Sequence, residues 1–94
     1  MLNALEPGTV MAIHRHRHSS ETVVILRGRI CWHFFDEEGK ETERVVLDAE
    51  GETRMLSVEK DRWHSLESLE SGSVLFECKD GEYRPLGPED VMEL

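Results

Sequence analysis

Long apolar runs are missing from this sequence: no stretch approaches the roughly 18 consecutive apolar residues that mark a membrane span. The opening "MLNALEPGT" has neither a basic n-region nor a long apolar h-region, so no signal peptide is expected. Positive charge is scarce, with 11 Lys and Arg against 20 Asp and Glu and a net charge of −9. Nucleic-acid phosphates demand clustered positive charge, so that partner class is excluded, and the short basic run at Arg15 and Arg17 does not reverse it. Cysteines number two, Cys31 and Cys78, far apart and without a CxxC spacing. The default reading is two reduced thiols in the cytoplasm, with a disulfide between neighbouring strands as the other reading. There is no repeat, low-complexity tract or linker, and no nucleophile motif or phosphate loop. At 94 residues the chain allows one domain, 1–94, burying roughly 60–70% of its unfolded surface.

What is present is a series of short apolar runs cut by turn residues. Strands are expected at 9–13 ("TVMAI"), 21–27 ("ETVVILR"), 29–35 ("RICWHFF"), 42–48 ("TERVVLD"), 53–59, 62–68 and 72–81. Gly28 breaks the second from the third, and "DEEGK" and "AEGE" read as turns. Strands recurring every ten residues or so predict an all-β fold, a small antiparallel barrel or sandwich. Helix is expected only at the ends, as a turn at Met1–Leu5 and a final turn opened by Pro88. Alternation puts Ile30, Trp32 and Phe34 on one core face and Cys31, His33 and Phe35 on the other. The second face is apolar enough to suggest a contact with a second subunit, and exposed strand edges also need covering, so a homodimer is expected.

The chemistry concentrates in "GTVMAIHRHRHSSETVVILRG". A purification tag would be a terminal homopolymer, and this run is internal. His14 and His16 are two apart, so on an extended segment they point the same way, and Glu21 opens the next strand. A return of the chain would bring its carboxylate to the two imidazoles, and His64 offers a further imidazole from a later strand. Imidazoles with a carboxylate are the donor set for divalent Zn, Fe, Mn or Ni. A solvated loop of histidines and arginines is the other reading of the same residues. His18 has the parity of His14 and His16 and competes with them. Arg15 and Arg17 point away and are expected in solvent; His33 is expected at the surface or an interface, and Trp63 in packing.

The segment fits G-x5-H-x-H-x4-E-x6-G at Gly8, His14, His16, Glu21 and Gly28, and so resembles the first motif of the cupin superfamily. The second cupin motif is represented by His64, while Glu59, Asp61 and Ser68 stand where proline, glycine and asparagine are usual. Across nearly the whole chain, "LNALEPGT", "HRH", "SET", "LRGRI", "FDEEG", "WHSLESL" and "FECKDGEYRP" resemble the small WbuC-type cupin fold metalloproteins of bacteria. That family usually carries a further N-terminal segment ahead of "LNALEPG", where this sequence begins. The resemblance implies a single cupin domain with one divalent metal ion on His14, His16, Glu21 and His64, and excludes His18. Glu77, Lys79 and Tyr83 match the family's C-terminal pattern and are candidate pocket residues.

Two function classes follow. An ion with open positions supports isomerase, epimerase, lyase or dioxygenase chemistry on a small polar or sugar-derived molecule. A metal-stabilised, non-catalytic module binding a small molecule or carbohydrate is the alternative, and a closed tetrahedral structural site in a dimer is a third reading. Either way binding needs neutral imidazoles and is expected to weaken below about pH 6.5.

Overall fold

In the computed structural model, which describes residues 1–9, 11–81 and 85–92, seven strands build two antiparallel sheets. They are β1 (Leu2–Leu5), β2 (Glu21–Arg27), β3 (Arg29–Phe35), β4 (Glu41–Asp48), β5 (Met55–Val58), β6 (His64–Ser68) and β7 (Ser73–Lys79). One sheet has the order β1-β7-β2-β5, the other β4-β3-β6. Among the described residues no helix is long and apolar enough to cross a membrane, and the one helical element is a 3-10 turn at Pro88–Asp90, which Pro88 opens.

The β2–β3 step shows why the chain folds this way. β2 is rich in β-branched residues whose alternate members Val23 and Ile25 are buried, and β3 buries Ile30, Trp32 and Phe34. Between them Gly28 has φ +80°, and a Cβ there would run into the Ser73 hydroxyl. That hydroxyl accepts from Arg29 N (3.2 Å) and donates to a nearby carbonyl, sealing the corner where the chain passes from one sheet to the other. Leu47, Val58, Leu66 and Leu75 complete the core between the sheets. Close packing of these branched and aromatic side chains fixes the spacing on which the interior site depends.

Several expectations are corrected. Residues 9–13 form no strand among those described; the segment is tied to β6 at a single bridge, where His14 N donates to His64 O (2.9 Å) and His64 N to His14 O (2.8 Å). Leu2–Leu5 is a strand, not a helical turn, because β7 offers it a free edge to pair with. Arg17 is exposed as expected, but Arg15 is half-buried, and both are tied to acidic partners. Arg15 contacts Asp61 (3.2 Å) and Asp90 (3.6 Å) and covers the Trp63 ring, and Arg17 Nε donates to Asp90 (2.6 Å). Cys31 and Cys78 are free thiols on different sheets, the first buried and the second exposed.

The two outer faces differ from the sequence expectation. Beyond Cys31, His33 and Phe35, the outside of β4-β3-β6 carries charge, with His33 engaging Glu41 and Glu67 and Arg44 donating to Glu41. On the outside of β1-β7-β2-β5 the one charged strand residue among those described is Arg27, which the bulge in β2 sets opposite Val74. The other outward residues of this sheet are Leu2 and Ala4 of β1, Val74, Phe76 and Cys78 of β7, Thr22, Val24 and Leu26 of β2, and Met55 and Ser57 of β5. Leu2, Phe76, Val24 and Met55 are successive cross-strand partners, making an apolar row across all four strands.

Candidate metal centre

Two elements bring the three histidines together. His14 and His16 come from the arm between β1 and β2, held by the His14 bridge to β6 and by Asp61 N donating to His16 O (2.7 Å). His64 opens β6, buried and stacked on Trp32 at 5.1 Å between ring centroids. One ring nitrogen from each of the three lies within 4.8 Å of the others. Nδ1 of His14 faces the Ala12 carbonyl and Nδ1 of His64 the Arg62 carbonyl, both at 2.9 Å. A carbonyl accepts, so Nδ1 carries the proton in each ring and Nε2 is left as a lone-pair donor.

Glu21, the first residue of β2, stands beside two of the three rings. Its Oε1 lies 3.4 Å from His64 Nε2 and 3.9 Å from His16 Nε2. Its other oxygen is buried without a hydrogen-bond partner, Lys79 Nζ standing at 3.6 Å. Burial pushes the Glu21 carboxyl up to about 6, with the Glu77 charge adding to it. Burial likewise holds His16 down to about 4, helped by Lys79 and His14, and His64 down to about 3, helped by His14. Inward-facing lone pairs, imidazoles kept neutral and a buried carboxylate lacking a partner are what a divalent cation would complete, so the residues fit one.

His18 is exposed and lies outside this cluster. Glu77 and Lys79 follow Leu75 on the inward face of β7: Lys79 bridges Glu21 and Glu77, at 3.6 and 3.9 Å, and Glu77 borders the adjoining cavity. Tyr83 lies outside the described residues. The cavity, about 390 Å³, opens beside His14 and His16 and is otherwise walled mainly by apolar groups such as Leu5, Met11, Leu75 and Leu86. Sequence reasoning missed that the N-terminal strand and the segment before Val91 wall this cavity. The one available signal was the alternation of Asn3 and Leu5, obscured by the helix-compatible composition of "LNAL".

The two-sheet sandwich is a cupin-like fold. The chain is similar in structure to capsular polysaccharide assembling protein CapF from Staphylococcus aureus, with a TM-score of 0.76 and 16% identity over 89% of this chain. It is also similar to TehB from Haemophilus influenzae, with a TM-score of 0.56 and 18% identity over 83% of this chain. It spans 23% of the first chain and 32% of the second. A family described as "Domain of unknown function (DUF6016)" matches residues 1–47, half of the chain, and the chain belongs to that family. No curated protein matches it.

Proposed function

We propose that this chain is a small metal-binding cupin of the WbuC type, holding one divalent Zn, Fe, Ni or Mn ion on His14, His16, His64 and Glu21. The observation that carries this reading is the pairing of a partnerless, buried Glu21 oxygen with imidazoles whose Nδ1 atoms are tied to backbone carbonyls. The cavity beside His14 and His16 favours an open site over a closed structural one. An ion there would polarise a carbonyl or lower the pKa of a bound water.

The chain's own residues then divide the work on a small ligand. The imidazoles and Glu21 would hold the ion, the apolar walls would take the ligand's hydrocarbon part and exclude water, and Glu77 offers a carboxylate facing the same space. Lys79 keeps a positive charge between the Glu21 and Glu77 carboxylates. Turnover of a small polar or sugar-derived compound separates an enzyme from a binding module. Two free thiols, one of them exposed, support a reducing, cytoplasmic setting. The apolar row on the outer sheet face supports a homodimer: on a chain of net charge −9, a two-fold contact must be self-complementary, and an apolar row is.

Elemental analysis of untagged protein, with and without chelator, tests the metal reading. One equivalent is expected at the interior centre, and that equivalent should be lost in His64→Ala and kept in His18→Ala. Loss in His18→Ala with retention in His14→Ala would overturn the ligand assignment.

A further inference from the structure

The outer face of β4-β3-β6 holds a second donor cluster, separated from the first centre by the sheet itself. Cys31 and His33 are two apart on β3 and share that face, and Glu67 of β6 is the direct cross-strand partner of Cys31. One donor atom from each of the three lies within 4.8 Å of the others. His33 presents Nε2 to Glu67 Oε1 at 3.2 Å, while Glu41 of β4 engages its Nδ1. Arg44 donates to the other Glu41 oxygen at 2.7 Å and so holds that carboxylate in place.

We infer that Cys31, His33 and Glu67 form a second site, running from the buried Cys31 to the exposed Glu67, for a borderline divalent cation of the zinc type. A thiolate, an imidazole and one carboxylate suit zinc or cobalt rather than magnesium or calcium, which take oxygen donors. Glu41 stands behind the imidazole in a carboxylate–histidine–metal arrangement, fixing the ring so that Nε2 is the ligating nitrogen. Three protein ligands leave a tetrahedral ion one open position. His33 and Glu67 border a surface cavity of about 430 Å³, shared with Thr9, Phe35 and Ser65 and large enough for water or a small anion. On binding, the Cys31 S–H bond breaks, its proton passes to solvent and the sulfur pair forms the bond to the ion, with no change of oxidation state. Without an ion the same residues make an imidazole ring held between two carboxylates, and the experiment distinguishes the two.

The test uses full-length Cys78→Ser protein, stripped of metal and titrated with Co²⁺. Two equivalents are expected, one of which brings a near-ultraviolet sulfur-to-cobalt charge-transfer absorption that an imidazole–carboxylate site cannot produce. Adding Cys31→Ser should remove that absorption and leave one equivalent, and adding His64→Ala should remove the other equivalent and keep the absorption. Glu67→Gln, at an exposed position, covers the case in which Cys31→Ser fails to fold and should weaken the sulfur-bearing equivalent at least about tenfold. Absence of the charge-transfer absorption with Cys31 intact, or its persistence undiminished in Glu67→Gln, would overturn the inference. Because the absorption belongs to this site alone, failure of the interior centre leaves the result readable.

Discussion

Glu21 bears a charge where the fold allows it almost no water, its side chain being 2% exposed. Its carboxyl is raised from 4.5 to about 6, so the stability tied to its protonation is present below pH 4.5 and lost as pH rises through about 6. The full difference is about 2 kcal/mol in metal-free protein. His16 and His64 work oppositely: held down to about 4 and about 3, they contribute stability that is complete above 6.5 and lost as pH falls. Two groups outweigh one, so the melting temperature of metal-free protein should fall as the pH is lowered from 6.5. Glu21→Gln should raise that temperature at pH 7, steepen the fall between pH 6 and 4.5, and weaken metal binding. Thermal melts across pH with and without Zn²⁺ check all three, and an unchanged metal-free melt at pH 7 would refute the burial argument. Two-residue parity and the spacing to Glu21 made His14, His16 and Glu21 legible in the sequence. The roles of Arg15 and Arg17 were not, because their partners Glu89 and Asp90 lie more than 70 residues away.

The arm that carries His14 and His16 is long and almost without ladder hydrogen bonds, and its position depends on a few anchors. Asp90 is the densest of these: buried in the Pro88–Asp90 turn, it accepts from Arg17 Nε at 2.6 Å and Gly87 N at 3.0 Å, with Arg15 Nε at 3.6 Å. Asp90→Ala leaves two guanidinium groups without this partner, and a charge-assisted bond of this kind is worth about 1.5–3 kcal/mol. The expected outcome is a lower melting temperature together with weaker metal binding, although Asp90 is not among the clustered donors. An isothermal titration showing unchanged affinity would mean that the arm holds its shape without the turn. At this scale β2 and β3 were legible to the residue, because β-branched runs flank a glycine that the corner requires. β1 and the 9–13 segment were misread for one reason: pairing with β7 makes a strand of "LNAL", and lack of a neighbouring strand leaves "TVMAI" without one.

On the scale of the molecule, charge and apolar surface are segregated. If two copies pair through β1-β7-β2-β5 as proposed, the row Leu2, Phe76, Val24 and Met55 meets its symmetry mate, two sheets packing face to face. Phe76 is 40% exposed in the single chain, so Phe76→Glu should convert dimer to monomer in light scattering while leaving metal content and the melt of the fold intact. A monomer mass for the unaltered chain at micromolar concentration would remove the proposal. The all-β sandwich was legible from strand spacing, but the choice of outer face was not: only the register shows that Arg44, Glu41 and Glu67 converge on the Cys31 side. The apolar face also sets how ionic strength acts. Two copies of net charge −9 repel each other, and the outward strand residues of the proposed contact offer Arg27 no carboxylate, so there is no ion pair there for salt to weaken. Screening therefore removes a penalty and costs nothing at the contact, so added sodium chloride should tighten association, opposite in sign to an interface held by salt bridges.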